Sequence, residues 1–246
     1  MMSNVIIENV RNELTQKNEL RIGINASNFL LVSHIDESGI PFGIAPDLGR
    51  IFAQQIKANP KFVVYDSPGK LADAGTEGNW DIAFVGNEPQ RAKNIAFSAP
   101  YLEIPVTFLV REHSTIRVMT DIDHVGNQIS VMGRSAYDLF LTATIKNATI
   151  IRSRSIGESL QRFIDEGIEI LAGLKPRLIS DCEKVPKTRI LSGQITSVKQ
   201  SVGTLPINRM SAIYLHQFIE KAKADGLIHK LIEKYHVHGV SVAPSA

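Results

Sequence analysis

The sequence predicts an α/β protein organised as two α/β units. Short runs rich in Val, Ile and Phe alternate with segments whose apolar residues recur at helical spacing. That alternation restarts midway along the chain, which a single continuous unit would not require. The length of 246 residues is enough for two separate hydrophobic cores.

The elements follow in order. "LRIGI" (20–24), "FVVY" (62–65) and "DIAFV" (81–85) read as strands bounded by turn residues. Between the first two lies "DLGRIFAQQIKA", where Leu48, Ile51, Phe52 and Ile56 share one helical face. Between the second and third, Ser67 is placed to N-cap a helix with Pro68 at its first position. Strand, helix, strand, helix, strand implies a parallel sheet with right-handed crossovers. The second unit reads as "TFLV" (107–110), "QISVM" (128–132), a helix from Ser135, and "ATII" (148–151). Next comes "SIGESLQRFIDEG", with Ser155 and Glu158 as a capping box and Gly167 as the glycine beyond the helix end. "IEILAG" and "RIL" are further strands, and after "ITSVKQSVG" the chain is helical to its end, broken at Asp225-Gly226. Extended connections at 104–110 and 196–203 join the two units.

Composition narrows the function classes. Hydrophobic residues at 43% and charged residues at 21% fit a soluble globular chain. A net charge of +2, with no basic cluster interleaved with aromatics, argues against nucleic acid as a partner. No apolar run approaches the ~20 residues needed to cross a bilayer, so no membrane insertion is expected. The first twenty residues lack a basic start, a continuous apolar stretch and a small-residue cleavage site. Ile6, Ile7, Val10 and Leu14 instead fall on one face of a short amphipathic helix. The expected location is cytoplasmic, or periplasmic if a leader has been removed. The one cysteine, Cys182, has no partner for a disulfide and no ligand-spaced neighbour.

Chemistry in open α/β sheets gathers beyond the carboxyl ends of the strands. Those ends offer Asn28 and Phe29 after the first strand, and Gly86, Asn87, Glu88 and Arg91 after the third. In the second unit they offer Gly133, Arg134, Ser135 and Ala136 at a helix start, and Lys175 after "IEILAGL". A helix N-terminus presents open N–H groups and positive potential, so residues 133–136 suit an anion. Arg91 brings a planar, bidentate fork that suits a carboxylate. Taken singly each has a bland reading: a solvated Arg, a plain N-cap, a core Phe. "SPGK" (67–70) matches a Ser-x-x-Lys pattern but lacks its companion motifs, and a Pro-Gly turn explains it. His236 and His238 alternate as on a strand, without a third metal ligand. No nucleotide-binding fingerprint occurs, and neither cofactor nor metal is expected.

The segments "LRIGIN", "GIPFGIAPDLGRIFA", "WDIAFVGNEPQRAKNIAFSAPYLE", "TFLVREHS", "GRSAYDLFL" and "KADGLIHKLIEKYHV" together resemble the amino-acid-type (family 3) solute-binding proteins of bacterial ABC importers. The resemblance runs from about Leu20 to Val237. It implies a type II periplasmic-binding-protein-like fold, with two parallel-sheet lobes joined by two hinge strands and closing on one small ligand. Lobe 1 would be 1–104 with 201–246, and lobe 2 would be 105–200. In that family the Arg at the position of Arg91 grips the ligand carboxylate. Groups at Gly86, Arg134, Ser135 and Ala136 complete the cradle, and an aromatic near Phe29 stacks on the ligand. The family's acidic acceptor for the ligand ammonium aligns near Lys175, where this sequence has a cation.

The expected function is binding of a small carboxylate-bearing solute, an amino acid or related organic acid, without catalysis. An ABC permease is the implied partner if the protein is exported. A dehydratase-like enzyme or a cytoplasmic ligand sensor on the same scaffold are the alternatives. Arg91, Arg134 and Lys175 together favour an anionic solute, with Glu88 or Glu103 open as acceptors for an ammonium. Arg91→Ala is expected to weaken binding by several kcal/mol while changing folding little.

Overall fold

The computed structural model describes residues 4–246. Contacts divide the chain into two compact units. Unit 1 holds the chain up to Leu102 with Lys199–Val237 and Val242–Ala246, and unit 2 holds Glu103–Val198 with His238–Ser241.

The chain opens in unit 1 with α1 (Asn4–Leu14), β1 (Glu19–Asn25), a hairpin of β2 (His34–Ile35) and β3 (Pro41–Phe42), and α2 (Ile44–Gln55). It continues through β4 (Asn59–Tyr65), α3 (Pro68–Thr76), β5 (Ile82–Gly86) and β6 (Ala96–Phe97). Next come β7 (Leu102–Arg111), β8 (Gln128–Met132), α4 (Ala136–Thr144), β9 (Thr149–Ser153), α5 (Ile156–Asp165), β10 (Ile170–Leu174), α6 (Lys175–Lys184) and β11 (Thr188–Ile190). The chain returns through β12 (Thr196–Thr204) to α7 (Arg209–Ala224) and α8 (Leu227–Lys234). The first passage between units falls between Leu102 and Glu103, at the start of β7; the second falls between Val198 and Lys199, inside β12. Among the described residues no helix is long and apolar enough to cross a membrane.

In unit 1 the strand order is β4-β1-β5-β12. β1 runs parallel to β4 (Ile22 opposite Phe62) and to β5 (Ile22 opposite Ile82). β12 lies antiparallel to β5, with Val202 opposite Phe84. In unit 2 the order is β7-β10-β8-β9; β8 is parallel to β9 and β10, while β7 is antiparallel to β10. Each unit therefore has a parallel core extended by antiparallel pairings: β12 with β5 and β6 in unit 1, and β7 with β10 and β11 in unit 2. The sequence predicts the parallel part, because strand–helix–strand spacing reveals crossovers. It does not reveal the antiparallel strands, whose partners lie far away along the chain.

Local chemistry explains the helix starts. Ser67 caps α3 by accepting from the Lys70 N–H, and Pro68 sits in the first turn, where its missing N–H costs nothing. Ser155 caps α5 through the Glu158 N–H, and the Glu158 carboxylate reaches back to the N–H of Arg154. Gly167 follows α5 at φ +69°, a left-handed position that glycine occupies without a Cβ penalty. His236 and His238 do not share a strand: His236 lies at φ +51° in the turn after α8.

Unit 1 packs Leu71, Ala74, Trp80, Ala83, Val85 and Ile95 together, and the buried indole N–H donates to the Leu71 carbonyl at 2.8 Å. Phe52 of α2 meets Phe218 of α7 edge-on at 5.2 Å between ring centres. Unit 2 gathers Leu109, Phe163, Leu171, Leu178 and Val185. Arg111 lies over the Phe163 ring at 4.4 Å.

Candidate functional site

The carboxyl end of β5 is built by one short turn. Glu88, Pro89, Gln90 and Arg91 form it, with the Arg91 N–H donating to the Glu88 carbonyl at 2.9 Å. Proline at the second position suits this turn because its φ is already fixed there. The turn leads into a 3-10 segment, Arg91–Lys93, and folds the Arg91 side chain back toward the strand end. The guanidinium donates to the Gly86 carbonyl at 3.0 Å and to the Glu88 carboxylate at 2.5 Å. Both partners are almost fully enclosed, with Arg91 at 7% and Glu88 at 9% exposure. A surface Arg would not be held this way. Burial pushes the Glu88 carboxyl above its ordinary value, and the Arg91 charge alongside pulls it down.

The rest of the "AFSAPYLE" segment is structural. The Ser98 N–H donates to Val202 and the Tyr101 N–H to Gln200, which stitches the segment onto β12. Tyr101 is fully buried edge-on against Phe84, and burial pushes its phenol far above the usual range.

Beyond β1, Asn28 is buried and closes a turn, its carbonyl accepting from the N–H groups of Leu31 and Val32. Phe29, next along, is 43% exposed, so its ring is not part of the core. Asn87 is half-buried, with its N–H donating to Lys199. Unit 1 thus holds Asn28, Phe29, Gly86, Asn87, Glu88 and Arg91, all at or just past the ends of β1 and β5.

In unit 2 the α4 start is tightly organised. Ser135 caps the helix by accepting from the Asp138 N–H at 3.1 Å. The Asp138 carboxylate accepts from the Arg134 N–H at 2.7 Å and from the Arg152 guanidinium at 2.9 Å. Arg134 itself sits at φ +60° with an exposed side chain, so its backbone donor is already committed to Asp138. The N–H groups of Ala136 and Tyr137 make no hydrogen bond among the described residues, as expected for the first turn of a helix. Burial pushes the Tyr137 phenol up to about 12, and a bond to Ser135 opposes the shift.

Lys175 is the first residue of α6 and is half-buried; its ammonium forms no hydrogen bond or ion pair among the described residues. Arg177, two residues on, is bound to the buried Asp181 at 2.8 and 3.0 Å. Among the described residues no group of three or more His, Cys, Asp or Glu could hold a metal.

The Glu88–Arg91 pairing and the role of Asp138 escape a sequence reading. Pro89 in "EPQR" is the signal for the first, since a turn at that Pro brings residues three apart together. Asp138, three residues after the Ser135 cap, is the signal for the second.

Each of the two α/β units carries polar and charged side chains at the ends of its parallel strands. The chain belongs to the bacterial extracellular solute-binding proteins, family 3, whose family model matches residues 20–238. Solved structures share the fold. A mutant of ArgBP from T. maritima superposes with a TM-score of 0.75 at 19% identity, covering 92% of this chain and 99% of that one. The ancestral amino acid-binding protein AncCDT-1, a precursor of cyclohexadienyl dehydratase, gives 0.74 at 19% identity, covering 91% and 98%. A putative binding component of an ABC transporter from Wolinella succinogenes, complexed with lysine, gives 0.74 at 18% identity, covering 89% and 96%. A comparison with curated proteins finds no match.

Proposed function

We propose that this protein binds one amino-acid-type solute and that Arg91 holds the solute's carboxylate. The observation that carries the reading is Arg91 itself, a guanidinium enclosed at the end of β5 and oriented by Gly86 and Glu88. A fork fixed in advance loses little freedom when it takes a carboxylate. Asn28, Phe29 and Asn87 would surround the solute from unit 1, with Phe29 offering a ring face. Unit 2 would add the Ala136 and Tyr137 N–H groups beside Ser135, together with the Arg134 and Lys175 side chains. The lysine in the W. succinogenes complex supports an amino acid as the class of solute.

Binding, not turnover, is the activity we propose, with an ABC permease as the partner. AncCDT-1 is a precursor of a dehydratase, which makes an enzyme on this scaffold the second reading. Its acid–base candidate is Glu88, because burial raises that carboxyl. The experiment is a thermal-shift screen of amino acids, 2-oxo acids and dicarboxylates, followed by product analysis of each compound that binds. A solute at ~100 times its dissociation constant adds ~2.7 kcal/mol of stability. Recovery of the unaltered solute supports a binding protein; conversion supports the enzyme.

A further inference from the structure

We infer that Glu88 receives the ammonium of the solute, so that the Glu88–Arg91 pair reads both charges of an amino acid and selects zwitterions over plain carboxylic acids. The inference rests on the proposed carboxylate clamp and names what stands beside it. The positive groups at the strand ends suggest an anion, but the charge of Arg91 is compensated inside unit 1. Its guanidinium and the Glu88 carboxylate are 2.5 Å apart and almost fully enclosed.

Glu88 uses only part of its capacity there. Oε2 accepts from Arg91, while Oε1 accepts from no other residue among the described residues. A carboxylate offers about four acceptor positions, so a second charged donor fits the group as it stands. A zwitterion adds its carboxylate beside Arg91 and its ammonium beside Glu88, and the charges alternate in sign. A plain carboxylate would bring a second negative charge next to Glu88, beside a guanidinium whose charge Glu88 already offsets, in a site where water screens poorly. The strand end of β10 in unit 2 carries Lys175, which cannot accept an ammonium. Glu103, the other acid considered from the sequence, lies on β7 and is half-buried, outside the β5 turn.

The test is calorimetric titration of the full chain with the proteinogenic L-amino acids and with the 2-oxo acid of each one that binds. Wild type, Glu88→Gln, Glu88→Asp and Arg91→Ala are compared, each checked by thermal unfolding. Wild type should favour the amino acid over its 2-oxo acid by about tenfold or more. Glu88→Gln should erase that preference by weakening the amino acid and sparing the 2-oxo acid. Glu88→Asp keeps the charge and should keep part of the preference, which guards against a Gln variant that fails to fold. Unchanged discrimination in Glu88→Gln, with binding lost in Arg91→Ala, overturns the role of Glu88 and leaves the clamp standing. Undiminished binding in Arg91→Ala overturns the clamp and this inference with it, as does a panel in which nothing binds.

Discussion

The carboxylate of Glu13 in α1 accepts both the backbone N–H of Ser211, at 2.7 Å, and the Ser211 hydroxyl. Ser211 lies in the first turn of α7, so Glu13 satisfies an open helix donor from a different helix. Val10 and Leu14 of α1 are buried, which makes α1 a working part of unit 1. Glu13→Ala should cost about 1 kcal/mol. A melting point lowered by roughly 2–4 °C in calorimetry would register it. An unchanged melting point would mean that the two helices are held by apolar packing alone.

Gly75 is fixed by its neighbour. A Cβ there would lie 2.3 Å from Cζ2 of Trp80, a ring that is fully buried and anchored through its N–H to Leu71. Gly75→Ala should therefore destabilise unit 1 by about 1–3 kcal/mol, by displacing the indole. Urea unfolding followed by tryptophan fluorescence measures this, since Trp80 is the single tryptophan.

Asp47 ties α2 to the end of α8, accepting from Lys234 at 2.7 Å and from the Tyr235 hydroxyl at 2.6 Å. Burial pushes its carboxyl up, but the bonds from Lys234 and Tyr235 and the nearby charges outweigh burial and hold it below its ordinary value. A carboxyl depressed by folding contributes stability above its unfolded value. That contribution is lost as the pH falls through the folded value. Asp47→Asn should be less stable than wild type near neutrality, and the gap should close below about pH 4. Urea titrations at several pH values check this; a gap that persists in acid would assign the effect to packing.

Much of this was legible because it is local. The strand "DIAFV" ending before Arg91, the caps Ser67, Ser135 and Ser155, and the break at Gly226 all follow from short-range spacing and cap chemistry. The antiparallel strands β7 and β12 are visible in the sequence only as extended segments, because their pairings join distant residues. In the sequence Glu88 is marked only as a residue beyond a strand end, because spacing along the chain says nothing about burial. The turn at Pro89 brings it against Arg91 and changes both the charge and the stability argument. Arg91→Ala leaves Glu88 enclosed without its partner, so it should lower stability as well as binding, contrary to the expectation from sequence.

The most direct test of the central claim is calorimetric titration of wild type and Arg91→Lys with the amino acid that binds tightest. Lys keeps a positive charge near Glu88 but removes the planar fork, which limits the loss of fold. A carboxylate held by that fork predicts affinity weakened by about 2–5 kcal/mol. Equal affinity in a folded Arg91→Lys variant would contradict it and reduce Arg91 to a structural partner of Glu88.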